Sequence, residues 1–459
     1  MDLRTRTPHA LLVPALWPGH FTPFLPIMRK LVEHNISFTI CTTQKRVDEL
    51  REYEADGQFG SVTTEFLAIF REDSPLLRDS EQLPEHDLQK QFQAHLDQLD
   101  SSKYTCLIAD MFLGFTKELA DKWDVPWYMM ISTNTSFALL MLQGQAAVEG
   151  GWHPNDPVKK NRSVELRGLE IFRAGELPDG LSDDPDSYCF HAIGTRTAAG
   201  LLINTFESLE KQQLDTLRSQ LQVMALDGKV PKVLPIGPLL LLPSFSQNRR
   251  RKQNSSEMDP AIQWLDSRSE SSVLYICFGS YRDIPTYYIR ELERGLLLVD
   301  IPFLWAQRLP PNILKADVFS PDFESRTKDR GLLVTDWVPQ REILDHPSTG
   351  GFLSHCGWNS ILESVLSAVP IMACPLYAEQ AMNSRFIVDV LEMAVEVNRS
   401  DELTGEEVAA AAVTIMTGER GSQIRQRMLK SKNAGHEAVA EGGSSHRYFE
   451  EFLADISMR

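Results

Sequence analysis

One segment, residues 337–380, constrains the fold of this chain more strongly than any other part of it. Its stretch 350–357 is a short apolar run that ends in His-Cys-Gly, which predicts a buried strand entering a tight turn. The following stretch, 358–368, carries apolar side chains at the spacing of a helix. The segment therefore predicts a strand, a turn and a helix in immediate succession.

The start of this predicted helix has the properties of an anion-binding site. Asn359 and Ser360 lie in its first turn, where backbone N–H groups lack helical partners and the helix dipole is positive. Gly357 lets the backbone approach a ligand closely, and His355 adds a further side-chain donor. A phosphate group is the ligand that these features favour.

The same segment resembles the signature box of the plant UDP-dependent glycosyltransferases of family 1, which glycosylate secondary products. The matching positions are the WVPQ tetrapeptide at 337–340, the run HPSTGGFLSHCGWNS at 346–360, Glu363, Pro370, Glu379 and Gln380. The resemblance implies a UDP-glycosyltransferase of the hexosyltransferase type, with a UDP-sugar as its donor substrate.

The resemblance also implies a role for individual residues of the box. Trp337 would stack on uracil, with Val338 and Gln340 beside it, and Glu363 would accept hydrogen bonds from the ribose hydroxyls. The diphosphate would be held by His355, Gly357, Asn359 and Ser360, and the sugar would be contacted by Trp358, Glu379 and Gln380. Taken singly, a tryptophan in such a position is more often a core residue, and a helical glutamate is usually solvated.

Two residues outside the box match the family's catalytic pair. His20 lies in the loop after the first predicted strand, where a neutral imidazole can take a proton from an acceptor hydroxyl. Asp110 ends another predicted strand, and an aspartate that accepts the imidazole N–H would stabilise the imidazolium. Without the resemblance, His20 would be read as a surface histidine and Asp110 as the cap of the following helix.

Two further positions could supply donors to the ligand. Ser280 closes an FGS tripeptide after the first predicted strand of the second half, and it would contact the distal phosphate together with Gly279. Ser132 or Thr133 follows another strand and could contact the sugar.

Strand and helix patterns alternate on both sides of a polar linker, which predicts two doubly wound α/β domains with parallel sheets. The predicted boundaries are an N-terminal acceptor domain at 1–243, a linker at 244–259, a UDP-sugar domain at 260–445 and a final helix at 446–459. The resemblance implies that these two Rossmann-like domains face a cleft in the GT-B architecture, and that the final helix returns to the first domain. It also assigns the acceptor pocket to variable loops near 70–83, 137–152 and 176–193.

Composition excludes several other classes of function. The net charge of −17 argues against a nucleic-acid or anionic-membrane partner. No apolar run reaches the 18 or so residues that a membrane-spanning helix needs. The six cysteines are scattered without a CxxC pair and are typical of reduced core thiols, so we expect a cytoplasmic monomer.

Motifs for cofactors and metals are absent from the sequence. It contains neither GxGxxG nor a GxxxxGK[ST] phosphate loop, and Asp184 and Asp186 lie in a polar stretch that is typical of a turn. We therefore expect no metal and no cofactor besides the donor substrate. Ala368 stands where the family's box usually carries glycine, at a helix end that favours a left-handed residue.

The predicted function is inverting transfer of glucose from UDP-glucose to a hydroxyl of a small lipophilic acceptor of phenolic, flavonoid or terpenoid type. Gln380 and Trp358 indicate glucose as the sugar. Two alternatives remain at this point: a UDP-sugar-binding protein without catalytic activity, and a nucleotide-sugar epimerase built on the same fold.

Overall fold

The computed structural model describes residues 7–70, 85–156, 158–226, 228–243, 259–279, 284–309, 313–397 and 403–457. Two parallel β-sheets organise these residues, one in each half of the chain. The predicted fold class, two doubly wound α/β domains, is confirmed.

The first sheet contains seven strands in the order β3-β2-β1-β4-β5-β6-β7. The strands are β1 (His9–Val13), β2 (Ser37–Thr43), β3 (Thr64–Phe70), β4 (Cys106–Asp110), β5 (Trp127–Ile131), β6 (Gly200–Ile203) and β7 (Lys232–Pro235). The sequence predicts the first six of them. It does not predict β7, because this strand has only four residues, follows Pro231 and ends at Pro235, and prolines are depleted in strands.

The second sheet contains six strands in the order β10-β9-β8-β11-β12-β13, and all six are predicted from the sequence. They are β8 (Val273–Cys277), β9 (Phe303–Ala306), β10 (Gly331–Val334), β11 (Thr349–Ser354), β12 (Ile371–Ala373) and β13 (Ala394–Glu396).

Helices flank both sheets. Those of the first half are α1 (Pro18–Phe21), α2 (Phe24–Glu33), α3 (Gln44–Ala55), α4 (Glu85–Leu96), α5 (Thr116–Trp123), α6 (Thr135–Leu142), α7 (Gly144–Glu149), α8 (Gly180–Asp183), α9 (Pro185–Thr197) and α10 (Lys211–Val223). Those of the second half are α11 (Pro260–Asp266), α12 (Thr286–Leu298), α13 (Lys315–Val318), α14 (Phe323–Thr327), α15 (Gln340–Asp345), α16 (Trp358–Ser367), α17 (Gln380–Arg385), α18 (Gly405–Met416), α19 (Glu419–Val439) and α20 (Ser444–Ser457). Within the described residues, no helix is long and apolar enough to cross a membrane.

Both faces of each sheet are buried, which explains why the strands read as continuous apolar runs. In β1, Leu11 belongs to the core on one face and Leu12 to the core on the other. In β8, Ile276 and Tyr275 are divided between two cores in the same way. Successive side chains of a strand point to opposite faces, so a sheet covered by helices on both sides needs apolar residues throughout.

The last helix, α20, packs against the first sheet although it follows the second in sequence. Phe452 is fully buried in the core that contains Leu12, and its ring centroid lies 5.0 Å from that of Tyr128. Lys232 of β7 forms an ion pair with Asp455 at 2.5 Å. The end of the chain therefore bridges the two halves.

Two of the three segments assigned to variable loops are mostly helical. Helices α6 and α7 occupy most of 137–152, and α8 and α9 together occupy most of 176–193. All side chains of α6 are buried, so its apolar residues show no amphipathic period. The third segment, 70–83, lies outside the described residues apart from Phe70, and the linker at 244–259 does so apart from Asp259.

Ala368 ends α16 in the left-handed conformation, with φ 59° and ψ 36°. This conformation costs a residue with a Cβ roughly 1 kcal/mol relative to glycine. The sequence-based expectation of a left-handed residue at this helix end is confirmed.

Ala368→Gly should therefore raise the free energy of unfolding by about 1 kcal/mol, which calorimetric melting would detect as a higher Tm. A matched control is Ala410→Gly, at an exposed position inside α18, which should lower stability by about 1 kcal/mol. If both substitutions lower the Tm to the same extent, Ala368 is not strained.

Candidate active site

A cavity of about 330 Å³ lies between the two halves of the molecule. Its walls combine loops from the first half with the turn before α16 and the start of α17 in the second. Eleven of the candidate site residues line it: His20, Ser132, Thr133, Gly279, His355, Gly357, Trp358, Asn359, Ser360, Glu379 and Gln380.

Sheet topology brings the first-half residues together. His20 lies in α1 after β1, Asp110 is the last residue of β4, and Ser132 follows β5. These three strands are neighbours in the sheet, and the carboxyl ends of parallel strands meet at one edge.

His20 and Asp110 form a hydrogen-bonded pair. The distance from His20 Nδ1 to Asp110 Oδ2 is 2.9 Å, and Ser132 Oγ lies 2.8 Å from the same nitrogen. A carboxylate only accepts hydrogen bonds, so Nδ1 carries a hydrogen, and in the neutral ring the lone pair is on Nε2. The other carboxylate oxygen accepts from the backbone N–H of Phe112 at 3.1 Å. Asp110 does not cap α5, whose N-cap is Phe115.

The environment raises the pKa of His20 above its ordinary value of 6.5. Burial acts most strongly and lowers the pKa, but the charge of Asp110, its hydrogen bond and the charge of Glu379 together outweigh it. The imidazolium form is thus stabilised by a carboxylate that is fully buried. This arrangement suits a group that must accept a proton during a reaction.

Aromatic rings surround His20 on the first-half side. The ring centroid of His20 lies 5.4 Å from that of Trp17 and 5.2 Å from that of Phe112. Phe112 also contacts Phe137 and His191, with ring centroids 6.1 Å and 5.9 Å away. Trp17 and Phe112 are not predicted from the sequence, although both lie at the ends of predicted strands, on the ligand-binding edge of the sheet.

The opposite wall of the cavity is the N-terminus of α16. Gly357 is its N-cap, no side chain of the described residues caps this helix start, and its first turn contains no acidic residue. The first backbone N–H groups and the positive end of the dipole therefore face a space that an anion can occupy.

His355 lies in a slot between two glycines beside this helix start. A Cβ added to Gly357 would lie 2.6 Å from the Nε2 atom of His355, and one added to Gly279 would lie 2.9 Å from it. Burial lowers the pKa of His355 to about 4, so its ring is neutral at physiological pH. Its Nδ1 atom is buried and has no hydrogen-bond partner among the described residues.

Asn359 and Trp358, the first residues of α16, both contact the first half. Asn359 Nδ2 donates to the carbonyl of Gly19 at 2.8 Å, and the indole N–H of Trp358 donates to the carbonyl of Asn204 at 2.9 Å. The Trp358 indole N–H therefore already has an acceptor and is not the group that would bind a sugar. Asn204 follows β6, and the sequence does not predict a role for it.

Glu379 and Gln380 begin α17 at another side of the cavity. Gln380 Oε1 accepts from the backbone N–H groups of Leu376 and Tyr377 at 3.1 and 3.3 Å. Because its oxygen holds this turn, its NH₂ group is the part of Gln380 suited to a ligand.

The predicted nucleotide residues do not line the cavity but connect to it. Gln340 Nε2 donates to Glu363 Oε2 at 2.5 Å and to Ser360 Oγ at 3.1 Å, and Ser360 belongs to the cavity wall. Trp337 is 61 % exposed, as a stacking surface requires, whereas Val338 is buried. Ser280 lies outside the described residues.

In the described part of the chain, no group of three or more His, Cys, Asp or Glu side chains could hold a metal ion. The carboxylate of Asp184 accepts from the backbone N–H of Ser187 at 3.2 Å and caps α9. The Asp184–Asp186 pair is therefore the start of a helix.

Known proteins resemble this chain in sequence. A family model described as UDP-glucuronosyl and UDP-glucosyl transferase matches residues 225–426. UDP-glycosyltransferase 71C2 of Arabidopsis thaliana is 33 % identical over 372 residues, which cover 78 % of this chain and 75 % of that protein.

Two solved structures of plant proteins share the fold over nearly their full length. One is a UDP-glucosyltransferase from Polygonum tinctorium capable of glucosylating indoxyl, in complex with 3,4-dichloroaniline (26 % identity, TM-score 0.78, 98 % and 99 % coverage). The other is Phytolacca americana UGT2 with UDP-2-fluoro-glucose and pterostilbene (25 % identity, TM-score 0.77, 99 % and 100 % coverage).

The hydrogen bond between His20 and Asp110 predicts that the carboxylate raises the pKa of His20, which NMR titration of the imidazole can test. In Asp110→Asn, the pKa of His20 should fall below that of the wild type, because burial still lowers it while the carboxylate no longer raises it. Asp48→Asn on the exposed side of α3 is the control and should leave it unchanged. An unaltered His20 pKa in Asp110→Asn would contradict the pairing.

Proposed function

The chain belongs to the UDP-dependent glycosyltransferases, enzymes that transfer a sugar from a UDP-sugar to an acceptor, and we propose that its donor is UDP-glucose and its reaction inverting. The proposed acceptor is a small lipophilic molecule with a hydroxyl group, of phenolic, flavonoid or terpenoid type. The observation that carries this proposal is the His20–Asp110 pair facing the start of α16 across one cavity.

The proposed reaction begins at His20 Nε2, which takes the proton of the acceptor hydroxyl. The acceptor oxygen forms a bond to the anomeric carbon while the bond from that carbon to the UDP oxygen breaks. Asp110 stabilises the imidazolium that results, at a hydrogen-bond distance of 2.9 Å. The base and the helix start that would hold the leaving group lie on different walls of the cavity, which supports attack from the side opposite UDP.

We propose that the leaving diphosphate is stabilised by neutral donors. The backbone N–H groups at the start of α16, the neutral ring of His355 and the side chains of Asn359 and Ser360 would surround it, with Ser280 at the distal phosphate. Since these groups offset the developing charge, transfer should need neither a divalent cation nor a further cofactor.

For the nucleoside, we propose that Trp337 stacks on uracil and Glu363 accepts from the ribose hydroxyls, with Val338 and Gln340 beside them. The exposure of Trp337 supports the first role. The hydrogen bond from Gln340 to Glu363 supports the second, because it orients the carboxylate.

For the sugar, we propose contacts with Glu379, Gln380 and the backbone of Trp358. The NH₂ group of Gln380 can donate to a sugar hydroxyl while its oxygen holds the turn of Leu376 and Tyr377. Substitution of Gln380 would therefore disturb both this turn and the choice of donor.

For the acceptor, we propose that Trp17 and Phe112 form the wall on which a flat molecule packs. Their rings flank His20 at 5.4 and 5.2 Å between centroids, so a hydroxyl on such a molecule would lie near the base. The structures of two similar proteins contain aromatic compounds, pterostilbene and 3,4-dichloroaniline, which supports an aromatic acceptor here.

We also propose a cytoplasmic monomer. All six cysteines are free thiols, and four of them are buried, as expected in a reducing compartment.

The decisive assay follows transfer from UDP-glucose to a panel of phenols and alcohols by mass spectrometry. His20→Ala should lower kcat by roughly 10²–10⁴-fold because the general base is lost. UDP affinity, measured by calorimetry, should stay close to that of the wild type, because the proposed nucleotide contacts lie in the other domain. A thiol acceptor, which loses its proton more readily, should be affected less.

The matched control is His95→Ala, which removes an exposed histidine of α4 and should leave kcat unchanged. A fully active His20→Ala enzyme would refute the assignment of the base. A wild-type protein that does not bind UDP would refute the proposed donor.

A further inference from the structure

Asn204 is a buried residue of the first half whose contacts reach the proposed anion site of the second half. It is 2 % exposed and follows β6 at the carboxyl edge of the first sheet. Its side-chain Nδ2 lies 3.3 Å from Asn359 Oδ1, and its Oδ1 accepts from the backbone N–H of Leu239 at 3.0 Å.

The partners of these two carboxamides fix which end of each carries the hydrogens. The N–H of Leu239 can only donate, so it must face the oxygen of Asn204, and the NH₂ of Asn204 then faces Asn359. At the other end, the carbonyl of Gly19 can only accept, so it must face the NH₂ of Asn359. We call this chain of three hydrogen bonds, from Leu239 through Asn204 and Asn359 to Gly19, the relay. Each residue in it donates to the next one, so the direction of donation is fixed.

This direction determines which polar group of the Asn359 side chain, the NH₂ or the carbonyl oxygen, faces the cavity. Its NH₂ group has two hydrogens, and one of them bonds the carbonyl of Gly19, the residue before the base His20. The second hydrogen is available to a diphosphate oxygen. With the opposite orientation, the Asn359 carbonyl would face both the Gly19 carbonyl and the diphosphate, and both contacts would be repulsive.

We propose that Asn204 is a positioning residue that orients the carboxamide of Asn359, so that this side chain donates both to the loop of His20 and to the donor diphosphate. The inference rests on the proposed function, because it assumes a diphosphate at the start of α16. Asn204 itself does not contact the donor, and it acts only through Asn359.

The substitution Asn204→Asp tests the direction of the relay. A carboxylate has nearly the shape of the carboxamide and still accepts from Leu239, but it cannot donate to Asn359. It would instead attract the NH₂ of Asn359 and reverse that side chain. If Asn204 has only a packing role, Asn204→Asp should weaken UDP binding less than Asn204→Ala does. The relay predicts that Asn204→Asp weakens UDP binding more.

The first measurement is the affinity for UDP, by calorimetry at about pH 8, where a carboxylate is ionised. Asn204→Ala should weaken UDP binding roughly 3- to 10-fold through loss of one hydrogen bond. Asn204→Asp should weaken UDP binding roughly 10- to 100-fold, because a reversed Asn359 would place its carbonyl oxygen, instead of its NH₂ group, next to the diphosphate.

The second measurement repeats the titrations at about pH 6 and compares each variant with the wild type at the same pH. Burial favours the protonated carboxyl, which can again donate to Asn359 Oδ1. The defect of Asn204→Asp should therefore shrink to that of Asn204→Ala or below, whereas the defect of Asn204→Ala should not change.

The control is Gln220→Glu, which also places a carboxylate where a buried carboxamide was. Gln220 is 6 % exposed, donates to the carbonyl of Arg167 at 2.6 Å and does not line the cavity. Gln220→Glu should bind UDP like the wild type at both pH values. Comparable losses in this variant would show that buried charge alone causes the effect and would overturn the relay.

Two other results would overturn the relay. One is a loss of UDP affinity in Asn204→Asp that is no larger than the loss in Asn204→Ala at about pH 8. The other is a loss in Asn204→Asp that does not change between about pH 8 and about pH 6. If Asn204→Asp does not fold, Asn204→Ala still decides, because unchanged UDP affinity in that variant would exclude the role. A wild-type protein that fails to bind UDP would instead refute the proposed function.

Discussion

The hydrogen bond from Asn359 to the carbonyl of Gly19 joins the two halves of the molecule at the point where the site depends on both. It holds the start of α16 against the loop that carries His20, across a distance of 2.8 Å. A second contact supports it, because Asn134 before α6 donates to Asn383 in α17 at 2.7 Å. Neither sheet contains a complete site without the other.

The turn before α16 is held in an uncommon conformation by these contacts. Cys356 has φ 67°, which is unfavourable for a residue other than glycine. Its carbonyl accepts from Asn383 Nδ2 at 2.9 Å, so the bridge to Asn134 also stabilises the turn. Backbone strain of this kind persists where surrounding contacts determine the conformation, and here it directs helix N–H groups towards the cavity.

The sequence predicted what depends on local pattern. Apolar runs identified the strands that both sheets bury, and the helical spacing after Gly357 identified the start of α16. It did not predict Asn204 or Trp17, because their roles arise from contacts between distant segments and leave no local signature. Helix α6 was expected to be a loop, because burial on every side removes the amphipathic period that marks most helices.

We propose that one base on the first domain drives a single displacement at a donor held by the second. The configuration of the product at its anomeric carbon tests this most directly. With UDP-glucose, whose sugar is α-linked, the proton coupling at the anomeric centre in the NMR spectrum of the product should show a β-glycoside. An α-glycoside would mean retention, and it would contradict direct attack by the acceptor that His20 activates.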